Sequence, residues 1–134
     1  MTSGQKEAAM KEAQNLYQLA CNKFNDENYI QAIDLFTKSI KIFEAVDYIQ
    51  RSAYNNRGIA FLALEQYENA LKDFTNPNAT ILEFNKTDLI NYYTNIGFAY
   101  YNLSKSSEAK FYYEKVLKLD PNDTDAKYIL SQLK

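Results

Sequence analysis

Seven positions of this chain return in a single register. Tyr54, Asn56, Gly58, Ala60, Leu64, Ala70 and Phe74 are matched 39 residues later by Tyr93, Asn95, Gly97, Ala99, Leu103, Ala109 and Tyr113. A weaker copy lies 38 residues earlier, with Leu16, Ala20, Phe24, Tyr29, Ala32, Ile33 and Phe36 opposite Tyr54, Gly58, Leu62, Tyr67, Ala70, Leu71 and Phe74. One such unit cannot bury its own apolar face, so a chain built this way is confined to architectures in which like units stack. The three copies cover nearly all of the 134 residues.

Each copy has the period of two helices. Tyr54, Gly58, Phe61 and Leu62 recur at helical spacing, Glu65-Gln66 interrupts, and Tyr67, Ala70, Leu71 and Phe74 resume the stripe. The last copy does the same with Ile96, Gly97, Tyr100 and Leu103, then Ala109, Tyr112, Tyr113, Val116 and Leu117. Gly58 with Ala70, Gly97 with Ala109 and Ala20 with Ala32 place small residues on both partners, which lets two helix axes approach closely while large rings fill the flanks. Two Pro and three Gly are too few for the tight turns of an all-β fold.

Together these residues resemble the tetratricopeptide repeat, a helix-turn-helix unit of about 34 residues. The last copy resembles it best, through Tyr93, Ile96-Gly97, Tyr100, Ala109, Tyr113 and the closing Leu119-Asp120-Pro121-Asn122. Tyr54-Asn55-Asn56-Arg57-Gly58, Phe61, Tyr67, Ala70 and Phe74 follow the pattern in the middle copy, and Leu16, Leu19-Ala20, Phe24, Tyr29, Ala32 and Phe36 in the first. The resemblance implies an all-α solenoid, a right-handed superhelix of about seven helices. Its single domain of residues 1–134 would comprise repeats at about 13–46, 51–85 and 90–122 and a capping helix at 123–134. In that cap Ala126, Ile129, Leu130 and Leu133 form the apolar stripe.

Spacings of 38 and 39 exceed the family length, and the surplus falls between copies. After the first copy, Ile33, Phe36, Ile40, Phe43 and Val46 continue the helix, and Asp47 with Gln50 suggests a capping box for the next one. After the middle copy Pro77 should end the helix, and Ile81, Leu82 and Phe84 are expected to form a short helical segment against the core. At the N-terminus Ala9, Ala13, Leu16 and Ala20 extend the first helix back toward Gln5.

Composition narrows the chemistry. Without His and with only Cys21 as a thiol, the commonest general base and the commonest metal ligands are missing, and no glycine-rich loop is present. The chain is therefore not expected to be an enzyme, and no cofactor or metal is expected. Cys21 has no cationic neighbour on its helix face and should behave as a small inert hydrophobe. Fifteen Lys and Arg against 17 Asp and Glu leave a net charge of -2, so no basic surface is available for nucleic acid. The longest run without a polar side chain, Gly58 to Leu64, is far below the roughly 20 residues of a membrane span. A start lacking the basic-then-apolar order of an export signal points to the cytoplasm. Glu68, Asp73, Glu108 and Glu114 show no acid–base logic and are expected on solvated helix faces, with Glu114 and Lys118 as an (i, i+4) pair.

The partner is then another protein. In the family the first helix of each repeat lines a concave groove for an extended peptide or a helix. By register the groove residues would be Tyr17, Cys21, Phe24, Asn55, Asn56, Ile59, Asn91, Thr94, Asn95, Phe98, Tyr101 and Asn102. Amides can pair with a ligand's main chain, and the aromatics offer apolar sockets. One branch of the family clamps the acidic C-terminal tail of heat-shock chaperones with two Lys, two Asn and an Arg. Asn56 resembles one of its amides, but the other matching positions hold Tyr17, Cys21, Asn91 and Asn95, so the cations are absent. A scaffold or co-chaperone-like adaptor is the expected role, with no acidic-tail binding. The alternative is a self-associating unit or a piece of a larger assembly, through the convex Tyr92, Phe111 and Tyr112.

Overall fold

The computed structural model describes residues 1–79 and 85–133, and among these every regular element is helical. They form two compact units, residues 1–80 and 81–134. The first holds α1 (Ser3–Asn25), α2 (Tyr29–Ala45), α3 (Arg51–Ala63), α4 (Tyr67–Phe74) and a 3-10 turn at Pro77–Ala79. The second holds α5 (Lys86–Asn102), α6 (Ser106–Leu119) and α7 (Thr124–Gln132).

Within the first unit α1 packs on α2, α2 on α3, and α3 on both α4 and the 3-10 turn, with a lesser contact from α1 to α3. Ala20, Ala32, Phe36, Ile40, Ala53, Tyr54 and Ala79 form its core, flanked by Tyr17, Cys21, Phe24 and Leu35. In the second unit α6 lies between α5 and α7. Its core is Ala109, Tyr113, Val116 and Ala126, and Ile129, Leu130 and Leu133 of the capping stripe pack against it.

The small residues make room for rings on the partner helix. A Cβ added at Gly58 would stand 2.7 Å from the Phe74 ring, and one at Gly97 would stand 3.0 Å from the Tyr113 ring. Each glycine therefore admits an aromatic ring of the partner helix. Ala70 and Ala109, four residues before these rings, are themselves fully buried.

Helix ends account for the turns. α1 begins earlier than Gln5, because Thr2 and Gln5 form a reciprocal capping box: Gln5 N donates to Thr2 Oγ1 at 3.1 Å and Thr2 N to Gln5 Oε1 at 2.9 Å. The capping box expected from Asp47 and Gln50 is not formed. Gln50 caps α3 without a side-chain hydrogen bond, and Asp47 takes φ 55° to end α2. Glu27, Glu65 and Ser104 adopt φ 59° at the corresponding places after α1, α3 and α5. There the next amide closes back across the turn, as from Asn28 N to Lys23 O at 2.8 Å, Gln66 N to Phe61 O at 2.9 Å and Lys105 N to Tyr100 O at 3.0 Å. As expected, the helix stops before Pro77, and Ala79 is carried into the core of the first unit. The segment expected from Ile81, Leu82 and Phe84 lies outside the described residues.

Candidate functional site

α1 and α3 carry six of the twelve candidate residues. Tyr17 is half-buried, its ring 5.9 Å from that of Phe36. Burial, followed by its interactions with Cys21, pushes the Tyr17 phenol up to about 12, against a hydrogen bond with Ser52 of α3 that works the other way. Tyr17 packs against the core that α1 shares with α2 and α3. Phe24 meets Tyr29 edge-on at 5.8 Å and Phe36 at 6.5 Å. Cys21 packs beside both aromatics against the same core.

Asn55 is already engaged. Its Nδ2 donates to the carbonyl of Ala79 at 2.9 Å, which pins the 3-10 turn to α3, while its buried Oδ1 has no partner among the described residues. Asn56 and Ile59 are half-buried on the same helix.

α5 carries the other six. Asn91, Thr94, Asn95, Phe98 and Asn102 fall on one helical face. Asn91 and Asn102 are exposed, Thr94 and Asn95 are half-buried, and Phe98 leaves 41% of its surface to solvent. The Asn102 amide donates to the carbonyl of Phe98 at 2.9 Å. Tyr101 turns away to pack against the α6–α7 cluster. None of the twelve side chains is cationic, and a large exposed aromatic between amides is the distinguishing feature of the α5 face.

A buried polar network supports α3 from behind. Arg57 donates to both oxygens of Asp73, from Nε at 2.8 Å and from Nη2 at 2.6 Å, and to Thr37 Oγ1 at 3.1 Å. Its guanidinium lies 5.8 Å from the centre of the Tyr54 ring, and the Tyr54 hydroxyl donates to Glu44 Oε1 at 3.0 Å. Three helices are thereby cross-linked through α3. This corrects the expectation of a solvated Asp73, which is only 3% exposed. Burial pushes the Asp73 carboxyl up, and the hydrogen bonds and charge of Arg57 oppose that shift. Glu114 likewise lies near Lys110, at 3.8 Å, in place of the expected Lys118. The signal for Arg57 and Asp73 was present in the copies: the pair is Leu19 and Leu35 in the first and Ile96 and Tyr112 in the last, so both charges enter together.

The comparisons with known proteins agree with the fold. Residues 90–123 match the tetratricopeptide repeat model. The TPR domain of Arabidopsis OM64 superposes with a TM-score of 0.71 over 94% of this chain and 97% of that one, at 23% identity. The second TPR domain of human RPAP3, solved with the HSP70 peptide SGPTIEEVD, has a TM-score of 0.68 at 29% identity, covering 93% of this chain and 97% of that one. This chain belongs to the tetratricopeptide repeat family. Heat shock protein STI1 of Saccharomyces cerevisiae is 30% identical over 110 residues, which is 82% of this chain and 17% of that protein. The chain thus spans about a sixth of that curated relative. The TPR domain is a protein-interaction module. No helix among the described residues is long and apolar enough to cross a membrane, and no group of three metal-ligating side chains occurs among them.

Proposed function

We propose that this TPR domain binds an uncharged stretch of a partner protein through the amide and aromatic side chains on the first helices of its repeats, α1, α3 and α5. The observation that carries the proposal is the α5 face, where Phe98 stands exposed among Asn91, Thr94, Asn95 and Asn102. A peptide main chain finds both donors and acceptors in such amides, and an apolar side chain finds the Phe98 ring. An acidic tail finds no cation among these residues, and burial of Tyr17 against Phe36 fills a place where the chaperone clamp needs a polar contact. Likeness to TPR domains that hold chaperone peptides supports peptide binding in general. The charge pattern here argues for a different ligand class.

Pull-down from cell extract with Phe98→Ala and Asn56→Ala as paired variants tests the proposal. Recovery of a partner should drop in both, and unchanged recovery in both would remove these faces from the interaction. Calorimetry with SGPTIEEVD should give no saturable heat, and tight binding would refute the charge argument. The second reading, self-association, rests on Phe111, 56% exposed beside the Tyr112 ring at 5.2 Å. Light scattering across a concentration series decides it, since a strict monomer at high concentration excludes it.

A further inference from the structure

A cleft of about 260 Å³ opens in the first unit where α2 gives way to α3, lined by Glu44, Asp47, Tyr48, Ile49, Tyr54 and Asn78. Its apolar part is exposed without being loose. Tyr48 leaves 42% and Ile49 leaves 48% of their surface to solvent. Tyr48 is nevertheless fixed, with its N–H donating to the carbonyl of Phe43 at 2.9 Å and its ring 5.3 Å from the buried Phe43 ring. A rigid, half-exposed aromatic presents contact area at little conformational cost, the property of an interaction anchor.

The charges around it select the occupant. Glu44 lies in the last turn of α2, which has no basic residue there, and Asp47 comes just after the C-cap Val46. Both carboxylates therefore sit at the negative end of the α2 dipole, an unfavourable placement that a cation from outside would relieve. Neither forms an ion pair among the described residues. The nearby Arg57 is held by Asp73 and Thr37. Glu44 accepts from Tyr54 through one oxygen and retains the other for a second donor. Two carboxylates do not make a metal site, and the volume is below the roughly 300–1,000 Å³ of small-molecule sites. What fits is a single cationic side chain with an apolar stem.

We propose that this cleft is a docking point for an Arg or Lys side chain of a partner protein, the charge between Glu44 and Asp47 and the neighbouring apolar residue on Tyr48 and Ile49. The aromatic face of Tyr48 adds to the attraction for a guanidinium. The cleft shares no lining residue with the twelve groove candidates, and the proposal does not depend on what they bind.

The test is an NMR titration of the full chain with the capped peptide acetyl-Leu-Arg-Leu-amide, and with the same peptide carrying citrulline, the neutral isostere of arginine. The arginine peptide should give saturable shifts confined to residues 43–54 and 78, weakened about tenfold or more by citrulline. Glu44→Gln with Asp47→Asn, and separately Tyr48→Ala, should weaken it to a similar degree, and raising the salt should weaken it further. Phe98→Ala should leave it unchanged, which separates this site from the α5 face. Equal response to the citrulline peptide, shifts centred elsewhere, or no saturation up to about 10 mM would overturn the proposal. The citrulline comparison uses the wild-type chain, so the result stands even if a variant fails to fold.

Discussion

The three glycines allow the close packing of rings on helices to be measured. Glycine-to-alanine inside a helix gains up to about 1 kcal/mol from propensity alone. At Gly4 the added Cβ meets nothing within 4 Å, so Gly4→Ala should be neutral or stabilising by at most about that amount. At Gly58 it would lie 2.7, 2.9 and 3.1 Å from three atoms of the Phe74 ring. Carbon atoms pack best at about 3.5–4.0 Å, and Phe74 is buried on all sides, so the ring cannot retreat. Overpacking costs about 1–3 kcal/mol, and an approach this close belongs in the upper half of that range, so with the propensity gain subtracted Gly58→Ala should lose about 1–2 kcal/mol. At Gly97 the distances to Tyr113 are 3.0, 3.1 and 3.3 Å, a smaller overlap, and gain and loss should nearly cancel. Urea unfolding at constant slope reads all three. The order should be Gly4→Ala at or above wild type, Gly97→Ala close to it and Gly58→Ala clearly below. Shrinking the ring with Phe74→Leu in the Gly58→Ala background should make the glycine substitution less damaging than it is alone. Equal stability of Gly58→Ala and Gly4→Ala would refute the claim that the ring, more than the helix axis, demands the glycine.

Arg57→Met should destabilise the domain by about 3–5 kcal/mol, because it strands a carboxylate whose side chain is 5% exposed. Adding Asp73→Leu should restore most of that, reproducing the apolar pair that Leu19 and Leu35 supply in the first copy, and a double variant as unstable as the single one would contradict this. Glu65→Gly and Ser104→Gly, at φ 59°, should each raise stability by about 0.5–1 kcal/mol in thermal unfolding, since a left-handed residue with a Cβ is strained. Burial, with the charges of Asp125, Tyr101 and Asp123, pushes the Tyr113 phenol up to about 12. An unfolded tyrosine ionises near 10, so this contribution is intact below about pH 10 and is lost as the pH rises toward about 12. Tyr113→Phe should flatten that part of the alkaline unfolding curve.

The helices and the helical stop before Pro77 were legible because they depend on period and on backbone chemistry that one residue carries by itself. Caps were less legible. Asp47 and Gln50 have the spacing of a capping box, yet Asp47 is taken by the left-handed turn that ends α2, and one backbone conformation cannot serve both purposes. Thr2 and Gln5 have the same spacing, Thr2 keeps an extended backbone at φ -74° and ψ 165°, and there the box forms. A pair of residues three positions apart does not record which neighbouring element claims them first.

The candidate site was legible to the extent that its side chains point away from the core. On α5 the period places Phe98 opposite the stripe of Ile96 and Ala99, and the structure leaves it exposed accordingly. Asn55 shows where such inference fails. Its helix position alone marks it as available, but the stop imposed by Pro77 brings the chain back over α3, and the carbonyl of Ala79 occupies the amide. The donor that a ligand would need therefore belongs to the fold, and Asn55→Ala would report on the seating of the 3-10 turn. The same logic applies to Asp73, whose charge suggested solvent until Arg57 was found facing it. In a repeat protein the residues that depart from the other copies in pairs identify internal partners, as Arg57 and Asp73 do here.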